Sequence, residues 1–126
     1  MTDFQQLANN YVEAWNEQDG DVRRRLVEAL FATDATYVDP MASVHGPEAI
    51  SGLIGAVQAQ FPGYALDLIG TPDGHHDQLR FQWGLTAGDE EPLVIGFDVV
   101  RVSPAGAITE VFGFLDKVPA AATSVA

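Results

Sequence analysis

Apolar residues first recur at helical spacing. Phe4, Leu7, Tyr11 and Trp15 fall three and four apart, with Ala8 and Ala14 beside them. That spacing predicts an amphipathic helix with one apolar stripe, closing near Asp19-Gly20. Tyr11 lies on the stripe, so its hydroxyl needs a partner inside the protein. Asp21 is the expected N-cap of a second, shorter helix carrying Val22, Leu26, Val27 and Leu30. Arg23, Arg24 and Arg25 are expected on its solvated face, and the tight turn between the helices makes a helical hairpin. Thr36-Tyr37-Val38 reads as a short strand closed by Asp39-Pro40, where the proline restricts Asp39 to an extended conformation. Gly46-Pro47-Glu48 opens a third helix, since proline suits the first turn and the acid complements the helix dipole. Its apolar face is Ile50, Leu53, Ile54, Val57 and Phe61, and Phe61-Pro62-Gly63 stops it.

From Tyr64 onward the period changes to two. Four strands are predicted, roughly Tyr64–Gly70, Gln78–Thr86, Pro92–Val102 and Ala107–Leu115. Pro72-Asp73-Gly74, Gly88-Asp89-Glu90-Glu91 and Pro104-Ala105-Gly106 supply turn chemistry between them. Short connections imply antiparallel hairpins. Three N-terminal helices followed by such a meander predict an α+β fold, with the helices against one face of a strongly curved antiparallel sheet that encloses a conical pocket. One domain over residues 1–118 is expected, with 119–126 a fraying tail of small residues.

The stretch Leu93 to Val102 has the β-branched, apolar composition of a buried strand, yet Asp98 sits in its middle. A carboxylate there must find a partner, shift its pKa upward, or reach water on one face. Asp39 has two readings, a turn cap ahead of Pro40 or a general base aimed from a strand end into a cavity. Trp15, Phe61, Trp83, Phe97, Phe112 and Phe114 are the candidate pocket walls, or core. His75-His76-Asp77 adjoins a turn, where neighbouring residues point to opposite sides, and His45 is isolated. No run has the spacing of a zinc or iron site, and no glycine-rich phosphate loop is present, so no metal and no cofactor are expected.

Composition narrows the partners. The chain has 126 residues, a formal net charge of −12 and no cysteine. That charge argues against nucleic acid and anionic membranes, and the missing cysteines exclude disulfide and thiolate chemistry. Acidic and amide residues stand where a signal peptide carries basic ones, so a soluble, cytoplasmic protein is expected.

Four segments carry a family resemblance covering nearly the whole chain: Tyr11-Val12-Glu13-Ala14-Trp15-Asn16 leading to Asp19, Ala35-Thr36-Tyr37-Val38-Asp39-Pro40, Gly46-Pro47-Glu48-Ala49-Ile50, and Phe97-Asp98-Val99-Val100-Arg101-Val102. In these the chain resembles the nuclear transport factor 2-like superfamily, in particular its SnoaL-like proteins and ketosteroid isomerases. The isomerase likeness implies Asp39 as base, with Tyr11 and a protonated Asp98 as the donors that stabilise an enolate. It also implies an apolar carbonyl ligand and a homodimer through the exposed sheet face. A SnoaL-like cyclase would instead use an acid–base residue such as Asp98 in an aldol-type ring closure. A non-catalytic binding or dimerisation module of the same fold needs only a closed interior with Asp39 as a turn cap. A dehydratase-like chemistry requires His75 or His76 near Asp39 or Asp98.

Overall fold

Each helix begins where a side chain or a proline deals with the free amides of its first turn. In the computed structural model, which describes residues 3–119, α1 spans Phe4–Asn16 and the Asp3 carboxylate accepts from Gln6 N at 3.0 Å. Helix α2 spans Gly20–Leu30. Its cap is Asp19, not the expected Asp21, with Oδ1 accepting from the amides of Asp21 and Val22 at 2.9 and 3.1 Å. Asp19 has the extended backbone that lets a short side chain turn back on the helix, whereas Asp21 already lies inside the first turn. Helix α3 spans Pro47–Gln60, and Gly46 before it takes φ 88°, a conformation that favours glycine.

Helix α1 stops at Asn16, short of the expected end. Its terminal carbonyls are taken by side chains from the other two helices. Gln58 Nε2 donates to the carbonyls of Trp15 and Glu17, each at 2.8 Å. Arg23 Nη1 donates to the Glu17 carbonyl at 3.0 Å and to Gln58 Oε1 at 2.9 Å. Arg23 is therefore a half-buried clasp between helices, a correction to the solvated face, on which Arg24 and Arg25 remain.

Six strands form one sheet in the order β2-β1-β6-β5-β4-β3. They are β1 (Phe31–Asp39), β2 (Ala42–His45), β3 (Ala65–His75), β4 (Gln78–Thr86), β5 (Val94–Val102) and β6 (Ile108–Lys117). The α+β class stands, with one correction to the antiparallel sheet: β1 lies parallel to β6, while every other pair is antiparallel. A parallel neighbour needs a long connection, and α3 with four strands supplies it. Strand β3 runs through Pro72-Asp73-Gly74, so the hairpin turns at His76, φ 53°. Proline is tolerated there because β3 is an edge strand, and the β3–β4 register slips between Ile69 and Asp73.

The inner sheet face packs on the helices. Leu7, Tyr11 and Trp15 of α1 and Ile50 and Ile54 of α3 meet Tyr37, Phe81, Val100 and Val111 in one core. Among the described residues no helix is long and apolar enough to cross a membrane. The tail expected to fray lies, from Ala120 on, outside the described residues.

Edge strand β3 is fastened to α1 by one side chain. Asn16 Nδ2 donates to the Leu66 carbonyl at 2.9 Å, and Leu66 N donates to Asn16 Oδ1 at 2.7 Å. The carboxamide thus pairs with the free edge as another strand would. Asn16→Ala removes both bonds and leaves two backbone groups short of partners. The expected loss is about 2 kcal/mol, or roughly 6–10 °C in Tm, measured by thermal denaturation against wild type. An unchanged Tm would show the clasp to be idle.

Candidate active site

Period-two alternation in β5 aims Val94, Gly96, Asp98, Val100 and Val102 inward. Asp98 is 2 % exposed, with Phe81 of β4 and Gly113 of β6 as its cross-strand neighbours. The first helix brings its partner. Tyr11, also fully buried, donates its hydroxyl to Asp98 Oδ2 at 2.8 Å, and its ring meets Phe81 edge-on with centroids 5.1 Å apart. Burial raises the Asp98 carboxyl to about 7. The hydrogen bond from Tyr11 and the nearness of the Trp83 indole N–H pull it down, and the charge of Asp39 pushes it up. Burial, then the Asp98 charge, also lifts the Tyr11 phenol well above its ordinary range, so Tyr11 stays a donor.

Asp39 closes β1 and is half-buried. Its Oδ1 accepts from the amides of Met41 and Ala42, each at 2.8 Å, and its Oδ2 accepts from the Tyr37 hydroxyl at 2.7 Å. Three donors therefore hold the carboxylate in the orientation of a turn cap. It still faces the other acid. A methyl group on Gly113 would stand 3.0 Å from both Asp39 Cβ and Asp98 Oδ1, so the two side chains crowd the same point over a glycine. Burial, then the charges of Asp98 and Asp39, keep the Tyr37 phenol protonated. The structure thus brings together Tyr11, Asp98 and Asp39, and adds Tyr37. The added tyrosine was legible as a residue two before Asp39 on one strand, hence on the same face.

The expected walls divide. Trp15 is buried beside the two tyrosines, with ring centroids 6.3 Å from Tyr11 and 6.0 Å from Tyr37. Phe61 and Trp83 pack against the core. Phe97, Phe112 and Phe114 do not line a pocket, a correction that period two explains. Phe97 adjoins the inward Asp98, and Phe112 and Phe114 flank the inward Gly113, so all three take the outer face. Among the described residues the helices and the inner sheet face share one packed core. What reaches inward is a slot of about 10 Å³ between Trp15, Val57, Phe61, Tyr64, Leu66 and Leu85, room for one water molecule. His45, His75 and His76 are exposed, and His75 is bonded to Gln78, so none joins the acids.

A carboxyl held near 7 in the fold, against about 3.9 in an unfolded chain, gives stability a sign with pH. The folded state binds this proton more tightly, so the stabilisation is complete below about pH 4 and is lost as pH rises towards 7. Full ionisation costs about 4 kcal/mol. Asp98→Asn keeps the acceptor for Tyr11 and cannot ionise. It should melt well above wild type at pH 8, with the gap closing at pH 5. A gap of the same size at both pH values would show that Asp98 is not ionising in this range.

A family model for the SnoaL-like domain matches residues 8–111. No curated protein matches the sequence. Among solved structures, a SnoaL-like family protein from Agrobacterium tumefaciens, provisionally named an isomerase, is 42% identical; the match covers 92% of this chain and 99% of that one, with a TM-score of 0.87. A provisionally named SnoaL-like polyketide cyclase from a Jannaschia species is 15% identical over 92% of this chain and 90% of that one, TM-score 0.68. A cystatin-like-fold protein from Silicibacter pomeroyi is 16% identical over 88% and 74%, TM-score 0.65. The last two share the fold alone. With most of its length matched by the family model and by a relative of high identity, this chain belongs to the SnoaL-like family.

Proposed function

We propose that this protein is an enzyme of general acid–base chemistry on the carbonyl of an apolar small molecule, with Asp98 as the proton-transferring group and Tyr11 as its partner. The observation that carries this reading is the buried Tyr11–Asp98 pair, 2.8 Å apart, with Asp39 facing it over Gly113. A carboxyl that ionises near neutrality can give a proton to a carbonyl oxygen and take one back within a turnover. Tyr11, kept protonated, offers a second O–H where negative charge develops on that oxygen once its hydroxyl turns from Asp98 Oδ2 to the ligand. The proton on the neighbouring carbon passes to a base, water or an Asp39 freed from Tyr37, and the product is an enol, or an enolate where Asp98 only hydrogen-bonds. The provisional isomerase name of the Agrobacterium relative agrees with proton transfer through that enolate. An aldol-type ring closure, the cyclase form of the same chemistry, starts from it too.

Asp39 takes a supporting part in this reading. Its fixed charge favours the protonated form of Asp98, and it can act as the carbon base only after Tyr37 releases Oδ2. The slot beside Trp15 is lined by neither acid, so a ligand entering there must part Trp15 from Phe61 and Tyr64 to meet them.

A second reading has its own support. The narrowness of the slot and the three donors on Asp39 are what a non-catalytic binding or dimerisation module would have. Hydrogen–deuterium exchange next to the carbonyl of a panel of cyclic ketones separates the two. Wild type should accelerate exchange of at least one ketone, Asp98→Asn should lower that rate by about 10²–10⁴-fold, and Asp39→Asn by less. Equal rates for wild type and Asp98→Asn would remove Asp98 as the acid–base group and favour the module.

We also propose that the outer sheet face pairs with a second copy of the chain. Val38, Ile69, Phe112 and Phe114 are exposed there as large apolar side chains on one side of the sheet. Sedimentation should find a dimer for wild type and a folded monomer for Phe114→Glu. A monomeric wild type at micromolar concentration would refute the pairing.

A further inference from the structure

Trp83 stands on the inner face of β4, directly opposite Gly96 of β5. A side-chain carbon on Gly96 would collide with Cε2 and Cζ2 of the indole, so the ring rests on the bare glycine backbone. Cε2 is bonded to Nε1, which places the N–H edge of the ring over that same strand. The next inward residue along β5 is Asp98. The indole N–H is buried and completes no hydrogen bond, yet it lies close enough to Asp98 to favour its charged form. A buried donor left unpaired beside an acid calls for an explanation, since such groups are nearly always satisfied.

We propose that Trp83 is a positioning residue for Asp98: its indole N–H, seated by Gly96, closes on the carboxylate when the acid loses its proton. While Asp98 is protonated it offers the indole only a weak acceptor, and the donor waits. Once ionised, the carboxylate has Tyr11 on Oδ2 and needs a further donor. The groups facing it are Tyr11 from α1, Tyr37 and Asp39 from β1, and Phe81 and Trp83 from β4. Gly113 of β6 brings no side chain. Of these, Tyr37 is engaged by Asp39 and Phe81 has no donor, which leaves the indole. The N–H would thus limit how far burial raises the acid, keeping its proton exchangeable near neutral pH. This consequence for catalysis rests on the reading of Asp98 as the acid–base group; the contact itself does not.

The chain has two tryptophans, so its indole region holds two Nε1–H signals in a ¹H–¹⁵N spectrum. The Trp83 signal, assigned by its loss in Trp83→Phe, should move with pH in step with the carboxyl carbon of Asp98. The movement should vanish in Asp98→Asn. Trp83→Phe should raise the Asp98 midpoint, with roughly tenfold tighter proton binding, and move the activity profile in the same direction. Should that variant not fold, Trp15→Phe or elimination assigns the wild-type signal, and wild type decides alone. A Trp83 signal that stays flat through the Asp98 midpoint overturns the proposal, as does movement that persists in Asp98→Asn or an unchanged midpoint in Trp83→Phe. If Asp98 and Trp83 titrate together while no ketone exchanges, the enzymatic reading fails and this contact stands.

Discussion

The hydrogen bond between Tyr11 and Asp98 joins groups 87 residues apart, one on the first helix and one on the fifth strand, in the buried core. An isolated carboxylate there would be strongly disfavoured, so the fold must deliver a donor to it or leave it protonated. The protein does part of each. Delivering the phenol requires α1 to lie on the sheet at one rotation and one height. Three contacts set that placement: Asp3 at the helix start, the Gln58–Arg23 clasp on its last carbonyls, and Asn16 on the edge of β3. The polar pair in the core and the polar fastenings of the helix are therefore one requirement seen at two ends.

Two glycines make the surroundings of that pair possible. Gly96 leaves room for the Trp83 ring, and Gly113 leaves room for Asp98 Oδ1 beside Asp39. Both are inward positions on neighbouring strands where any side chain would fill the space now held by an indole or a carboxyl. The cost is weaker packing at two central sheet positions. The gain is an interior that brings two acids, two phenols and an indole N–H within reach of one another.

The same features explain why the family is plain and the chemistry is a matter of proposal. Strand order and helix placement follow the SnoaL-like frame. What differs from a simple isomerase scheme is the state of Asp39, pinned by Tyr37 and two amides, and for that reason our proposal gives the larger part to Asp98. Fold alone does not choose among chemistries.

Much of this was legible in the chain before folding. Helical spacing placed Tyr11 and Trp15 on one buried stripe, and period two exposed Asp98 as a polar residue in an apolar strand. Parity also held the answer for Phe97, Phe112 and Phe114, since each neighbours an inward residue, though it says nothing of which face is inward until one partner is known. Other features could not be read locally. The parallel pairing of β1 with β6 sets Asp39 beside Gly113, and a strand carries no mark of a partner some seventy residues away. The extension of β3 through Pro72 depended on its being an edge strand, which only sheet order reveals. The sequence by itself determined which residues share a face of a helix or strand and which of them are polar. Tertiary structure decided which polar groups meet, because hydrogen bonds across the core depend on register and helix rotation, and those are settled only when all the elements pack together.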